Sequence, residues 1–408
     1  MLLGVGMYCS NFFIKVSYTI TIFAELTSRW GQAVAYIPSP PAIILHGGKS
    51  DTSNAFSYTS APNSPETNYI PLTSSFAALL PPLITLDSPS SPAYAWHTLT
   101  PFSNVDGKWD FLSFGGDAGP SEPTQTQSDS TWYMTLDPDQ KSANWIQQPS
   151  GWGNQPSRRI YHSAVGGGGK VYITGGLRND GSGIGFAETY IFDPASGFTQ
   201  TAPLPRAVYH HGSVLLPNGT LIVLGGVSIS MASGVPAVQP LSTISILDTT
   251  ANGGVWTELP ISGISPSPRR GMATVLSSDG KEIFVNGGAS VTFDEIYSDT
   301  WVLNVETLQW RQVGQSGIAG RMVVGRQMPG DPGARYDHSA VLGPDGQVVI
   351  LGGKYPSLID MINADDRLRR RWSCGSWSIC FQPSRGDLVY RIYARAECYR
   401  RCFYACQF

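Results

Sequence analysis

Short apolar runs that end in a pair of glycines recur six times along the chain, each separated from the next by a longer polar stretch. The runs are AIILHGG (Gly47, Gly48), DFLSFGG (Gly115, Gly116), VYITGG (Gly175, Gly176), LIVLGG (Gly225, Gly226), EIFVNGG (Gly287, Gly288) and VVILGG (Gly352, Gly353), spaced 50 to 68 residues apart. A period near ~50 residues marks stacked supersecondary units, none of which can bury its apolar face alone. Within a unit the pattern predicts four strands. The first strand is RRIYHSAV, RAVYHHGSVLL, RRGMATVL or ARYDHSAVL, and the second runs into the glycine pair. Between them lie turns such as Pro217-Asn218-Gly219 and Ser278-Asp279-Gly280, where Asn or Asp before Gly predicts a two-residue hairpin with positive φ at both positions. The third strand is TWYMTLDP, TYIFDP, TISILDT or DTWVLNVET, and the fourth opens on Trp145, Phe198, Trp256 or Trp310. Glycine in a strand costs roughly 0.5–1 kcal/mol relative to alanine, so in-phase pairs imply a crowded axis where backbones approach closely.

The pattern weakens at both ends. In the first unit the Pro/Ser/Thr-rich stretch 50–95 blurs the outer strands, and NYIPLTSSF (68–76) is the expected third strand. The sixth unit shows only its inner hairpin before the sequence changes character at Tyr355. Residues 1–27 support two readings. They hold enough apolar residues for a signal or anchor segment yet lack a basic start, and from Lys15 to Ile22 they alternate strictly, as a ring-closing strand would. Membrane association is expected only through this segment. Residues 354–408 carry 10 Lys+Arg against 5 Asp+Glu and five cysteines, Cys374, Cys380, Cys398, Cys402 and Cys406. Within them LVYRIYARA (388–396) alternates as a late strand. The expected organisation is therefore a leader or closing strand over 1–27, a repeat body over 28–353, and a basic Cys-rich tail over 354–408, either part of the last blade or a mispredicted end.

Composition narrows the class. Charged residues are only 14% of the chain, while 45 Gly, 30 Pro and 11% aromatics suit short strands joined by many turns; the class is all-β. A net charge of −3, with the basic residues of the repeat body scattered rather than striped, argues against a nucleic-acid partner. No cysteine occurs from residue 10 to 373, so the repeats must be held by packing and backbone pairing.

Together the glycine pair, the Asp or Asn closing the third strand and the following Trp resemble kelch repeats, most closely the fungal galactose oxidase/kelch-type family, over about residues 29–353. That resemblance implies a six-bladed β-propeller of four-stranded blades, its terminal blade either completed by the tail or left incomplete. It also implies a non-enzymatic binding scaffold for a protein or glycan, outside the cell or on its surface. The alternative is a secreted copper-radical oxidase acting on galactose or glyoxal. Such chemistry needs a cysteine crosslinked to a tyrosine beside copper, and the repeat body has no cysteine to offer. No catalytic residue, metal or cofactor is assigned.

Candidate binding residues follow from the expected geometry. The loops 49–66, 117–130, 177–188, 227–242 and 289–298 should share one face with the starts of the first strands, and variable loops on a rigid scaffold usually carry recognition. Arg159, Arg206, Arg270 and Arg335 would ring that face, able to grip carboxylates bidentately or to pair with acidic residues of adjacent blades. His162, His338 and one of the adjacent His210 and His211 occupy equivalent strand-start positions on separate blades, in recognition or structural roles. Asn218-Gly219-Thr220 is a glycosylation sequon, although its Asn-Gly reads first as a turn.

Overall fold

The computed structural model describes residues 20–23, 29–51, 56–74, 81–119, 131–139, 141–147, 154–229, 234–251, 254–313, 333–354, 377–384 and 387–394. About half of the chain is strand. Five four-stranded antiparallel sheets form in sequence order, each with its strands stacked from the first outward. Blade one holds Ala33–Pro38, Pro41–His46, Thr67–Pro71 and Ile84–Thr85, and blade two Ala95–Val105, Lys108–Asp117, Thr131–Asp137 and Ser142–Gln147. Blade three spans Ser163–Gly167 to Gly197–Thr201, blade four Gly212–Leu215 to Thr257–Pro260, and blade five Ala273–Leu276 to Gln309–Val313. A sixth sheet has three strands, Ser339–Leu342, Val348–Leu351 and, from near the chain start, Ile20–Phe23.

The first strand of every sheet lies against the first strands of its two neighbours, and the sixth returns to the first, so the sheets form a closed ring. Closure is sealed by Gln32 Nε2 donating to the Leu351 carbonyl at 2.8 Å and the Gly353 amide to the Arg29 carbonyl at 2.8 Å. Near the chain start, Ile20–Phe23 lies at the outer edge of the sixth sheet. It pairs parallel with the sixth blade, Ile20 opposite Val348 and Phe23 opposite Leu351. The late strand expected at 388–396 appears as Asp387–Ala394, paired with Trp377–Ser384 in a separate hairpin. Residues 1–19 and the cysteines other than Cys380 lie outside the described residues. Among the described residues no helix is long and apolar enough to cross a membrane.

Each glycine pair stitches one blade to the next. The second glycine donates its amide to the first-strand start of the following blade, as in Gly176 to Val208 and Gly288 to Arg335, both at 2.8 Å. The first glycine lies so close to that start that a Cβ on Gly175 would sit 2.3 Å from the Val208 carbonyl oxygen and 2.8 Å from His211 Cε1. All twelve glycines of the pairs have positive φ. Both demands exclude a side chain, which explains the repeated choice of glycine.

The fourth-strand aromatics reach the preceding blade. Trp256 Nε1 donates to Ala202 O at 3.0 Å, Trp310 Nε1 to Leu241 O at 2.8 Å, and the Trp145 ring packs on His46 with centroids 4.2 Å apart. Burying each ring contributes roughly 1.5–3 kcal/mol. One turn expectation is corrected. At Leu216–Gly219 and Ser277–Gly280 only the glycine takes positive φ and the loop closes as an i to i+3 turn, with Leu216 bonded to Thr220 across a three-residue loop and Ser277 to Glu282 across a four-residue one. Asn218 is exposed there, its Oδ1 accepting from the Thr220 amide at 3.0 Å.

Candidate functional site

The described parts of the loops that follow the glycine pairs lie at one end of the ring with the first-strand starts, while residues 120–130 of the loop 117–130 lie outside the described residues. Arg29–Trp30 pairs with Lys49–Ser50 and Arg159–Ile160 with Leu177–Arg178, and single bridges join Tyr209 to Val227, Arg270 to Ala289 and Tyr336 to Lys354. Each strand start is a tetrad: Arg29-Trp30-Gly31-Gln32, Tyr94-Ala95-Trp96-His97, Arg159-Ile160-Tyr161-His162, Val208-Tyr209-His210-His211, Arg269-Arg270-Gly271-Met272 and Arg335-Tyr336-Asp337-His338. Its four positions do different things.

The first position anchors. Arg159 is fully buried, bonded to the Gly175 carbonyl at 3.1 Å, paired with Glu188 at 2.6 Å and stacked 3.8 Å over Phe186. Arg269 repeats this with Gly287, Asp299 and Tyr297. Arg335, also fully buried, bonds the Gly352 carbonyl at 2.9 Å, and Arg29 pairs with Glu66. The guanidiniums of Arg159 and Arg335 are thus spent on their own blades. Arg206 stands apart on an outer slope, half-exposed and paired with Glu258 at 2.8 Å. The structure does not gather the four expected arginines into one ring, and Arg270 alone among them faces the axis.

The fourth position wedges. His162 Nε2 meets Thr98 Oγ1 at 3.0 Å, His211 Nε2 meets Thr174 Oγ1 at 2.8 Å, and His97 Nε2 meets His46 Nδ1 at 2.8 Å. In each case the ring seats against a glycine of the preceding blade. Gln32 and Met272 take this place in blades one and five. All six histidines of the chain are buried. Burial, reinforced by neighbouring arginines or histidines, lowers them to about 3 for His97, His211 and His338, to about 4 for His210, and well below the usual value for His46 and His162. They are neutral imidazoles at pH 7.

The third position builds a collar on the axis. Gly31, Trp96, Tyr161, His210, Gly271 and Asp337 all have φ between 52° and 64°, a left-handed conformation that costs a non-glycine residue roughly 1–2 kcal/mol and clusters where structure or function over-determines it. The reward is a ring of backbone hydrogen bonds. Trp96 N donates to Gly31 O at 2.7 Å, His210 N to Tyr161 O at 2.8 Å, Gly271 N to His210 O at 3.1 Å, Asp337 N to Gly271 O at 2.9 Å and Gly31 N to Asp337 O at 3.0 Å. Between blades two and three the rings of Trp96 and Tyr161 meet at 5.0 Å.

Side chains of the collar converge on Asp337. Its carboxylate accepts from Tyr58 Oη, from Trp96 Nε1 at 2.9 Å and from His210 Nδ1 at 3.2 Å. Burial alone would raise the Asp337 pKa, but His210, the Tyr58 hydroxyl and Arg270 outweigh it and hold the carboxyl below its ordinary value. Tyr161 stacks on His210 with centroids 3.6 Å apart, and His210 Nε2 has no hydrogen-bond partner among the described residues. Beneath lies a cavity of about 130 Å³ between the tetrads, continuing into a channel of about 270 Å³ walled by small and hydroxyl side chains including Thr98, Ser163, Ser213 and Thr274.

Above the collar is an aromatic and basic mouth. Tyr58, carried by the first long loop, contacts Trp30, Trp96, Phe293 and Tyr336 at centroid distances of 6.5, 5.3, 5.9 and 5.5 Å. Arg270 lies over Phe293 at 4.6 Å and Tyr209 at 5.6 Å, and Lys354 over Trp30 at 4.5 Å. Tyr58, Tyr161, Arg270, Phe293 and Lys354 keep part of their surface in solvent. Sequence reasoning singled out Arg270 but not the aromatics of this cluster, nor Asp337. The available signal was the aromatic at the second or third tetrad position of five units, next to the histidines that did draw attention. Among the described residues no three His, Cys, Asp or Glu side chains gather as a metal site.

Comparisons with known proteins agree with this architecture. The family described as the KLHDC2/KLHL20/DRC7 Kelch-repeats domain matches residues 96–353. Similar proteins include Adagio-like protein 3 of Oryza sativa subsp. japonica, 32% identical over 161 residues covering 38% of this chain and 22% of that protein. Adagio protein 3 of Arabidopsis thaliana is 31% identical over 161 residues, covering 39% and 23%. Acyl-CoA-binding domain-containing protein 4 of Arabidopsis thaliana is 24% identical over 222 residues, covering 53% and 28%. The chain spans between about a fifth and three tenths of the length of these curated relatives.

Proposed function

Because the chain belongs to the KLHDC2/KLHL20/DRC7 Kelch-repeat family, whose propellers generally serve as protein-interaction scaffolds, we propose that it is a non-enzymatic scaffold that docks a protein partner on the mouth of its channel. The observation that carries this reading is the mouth itself. The Arg270 guanidinium lies over partly exposed Phe293, on which partly exposed Tyr58 packs, and Trp, Tyr and Arg are the residue types that dominate binding hot spots. The collar beneath holds them rigidly, which limits the ordering cost of association. Arg159 and Arg335 support the face from below, and His162, His211 and His338 lock the blades that carry it. A glycan is the second reading, favoured by the same half-exposed rings, which offer flat faces with polar tips.

The test is affinity capture with the wild-type chain, with Arg270→Ala/Phe293→Ala at the mouth, and with Lys108→Glu at the hairpin on the opposite end of blade two. A protein partner retained by wild type and Lys108→Glu but lost from the mouth variant supports the proposal. Equal retention by all three overturns it, and release of the partner by deglycosylation assigns the mouth to a glycan.

A further inference from the structure

Five residues with side chains hold left-handed backbone at the mouth end of the axis. Trp96, Tyr161, His210 and Asp337 do so in the collar and Phe293 in the loop above it, with φ between 52° and 60°. Glycine would hold the same turns free of strain, as Gly31 and Gly271 do in blades one and five. Each of the five costs roughly 1–2 kcal/mol, and strain of this kind clusters at ligand clamps and other functional sites. The two glycines make room for their neighbours. A Cβ on Gly31 would sit 2.7 Å from Trp96 Nε1, and one on Gly271 2.5 Å from Asp337 Oδ1. The strained set is thereby packed into a fixed receptor, with Trp30, Trp96, Tyr336 and Asp337 all buried.

The occupant of this receptor is held differently. Tyr58 belongs to a turn whose residues Phe56, Ser57, Thr59 and Ser60 are exposed, and the amides of Ser57, Ser60 and Ala61 bond within the turn itself. Tyr58 ties the tip of the turn to the axis. Its carbonyl accepts from Trp30 Nε1 at 3.1 Å, its ring packs among Trp30, Trp96, Phe293 and Tyr336, and its hydroxyl donates to Asp337. Burial and the Asp337 charge push the Tyr58 pKa well above its ordinary value, so the phenol stays protonated and remains a donor. A rigid receptor filled by one side chain of an exposed turn is an exchangeable pair, because segments with few buried contacts open at the lowest free-energy cost.

We infer that Trp30, Trp96, Phe293, Tyr336 and Asp337 form a socket for a tyrosine side chain of the docked protein, and that Tyr58 is its stand-in in the free chain. The aromatic walls take the ring, and the carboxylate takes the hydroxyl in a charge-assisted hydrogen bond that a phenylalanine cannot make. A site shaped to bond a hydroxyl discriminates strongly against the analogue lacking it. Tyr58, tethered beside the socket, competes at a high effective concentration. An incoming tyrosine therefore gains the socket only when the partner's other contacts outweigh that competition. Assigning this tyrosine to a partner rests on the docking at the mouth proposed above; the preference of the socket for a phenol does not.

The probe is N-acetyltyrosinamide, with N-acetylphenylalaninamide as its hydroxyl-free counterpart, titrated into the full chain by calorimetry. Tyr58→Ala should bind the tyrosine amide one to one, at least tenfold tighter than the phenylalanine amide and at least tenfold tighter than wild type does. Adding Asp337→Asn should cut the preference for the hydroxyl below threefold. Hydrogen exchange on the milder Tyr58→Phe keeps the test decisive should Tyr58→Ala fail to fold. The amides of Ser60 and Ala61 should exchange at least fivefold faster, while the collar amides of Gly31 and Asp337 change less than twofold. The socket is overturned if folded Tyr58→Ala binds neither amide or both equally, or if wild type binds as tightly as the variant, which places the probe elsewhere. It is also overturned if the collar amides quicken as much as Ser60 and Ala61, which makes Tyr58 a fixed part of the collar. Because the titration uses no partner, failure here is separate from failure of the capture test with Arg270→Ala/Phe293→Ala.

Discussion

Arg269 and Arg270 are adjacent in the chain and serve different ends of the molecule. Arg269 is fully buried, bonded to the Gly287 carbonyl and paired with Asp299; Arg270 spreads half-exposed over the rings of Phe293 and Tyr209. The same division runs around the ring. First and fourth tetrad positions face into the seams between blades, while second and third positions face the axis and the mouth. Residue type alone is therefore a poor guide to role, and position within the tetrad is a better one.

Acid should separate the two regions most strongly. The histidine pKa values are depressed in the folded state, so the unfolded chain binds more protons below its pKa of about 6.5. Stability is then full above pH 6.5 and lost as pH falls toward 3–4, by at most about 1.4 kcal/mol per histidine per pH unit. Six such groups, at most about 8 kcal/mol per unit against a typical total of about 5–15 kcal/mol, should unfold the propeller between pH 6.5 and about 5. Circular dichroism across a pH series checks this; a wild type still folded at pH 4.5 would contradict the neutral-wedge account.

A smaller effect is expected from a single seam. Gly175→Val places a branched side chain at positive φ against Val208 O and His211, and should cost roughly 3–5 kcal/mol in urea unfolding. Arg269→Ala leaves Asp299 and the Gly287 carbonyl without their partner and should cost about 3 kcal/mol. Its neighbour supplies the sharpest contrast. Arg270→Ala should change stability by less than about 1 kcal/mol while weakening a mouth-bound partner at least about tenfold, measurable by calorimetry on the captured partner. Equal losses of stability in the two variants would erase the distinction between seam and mouth.

Much of the seam was legible before any coordinates. Paired glycines at one phase of every unit required a close backbone approach, and Trp145, Trp256 and Trp310 required a neighbouring sheet to bury them. The mouth was legible only in part. Arg270 and His210 were singled out for belonging to a series, yet Arg159 and Arg335 belonged to it equally and turned inward. A guanidinium's direction depends on a one-residue offset within the tetrad, and Glu188 and Asp299, which hold Arg159 and Arg269, lie about 30 residues further on. Tyr58 carried no periodic signal at all. Its loop folds across the axis, and its hydroxyl meets Asp337 from 279 residues away.

Composition, period and strand pattern by themselves determined an all-β ring of repeated units stitched at glycine pairs, because those features act through local backbone geometry and nearest-neighbour burial. Ring closure decided the rest. Only when Gln32 reaches Leu351 and the Gly31 amide reaches Asp337 do six left-handed residues face one axis, and only then do Asp337, His210, Trp96 and Tyr58 become neighbours. Such contacts depend on the sum of small rotations between successive sheets, a global quantity that no single stretch of the chain encodes.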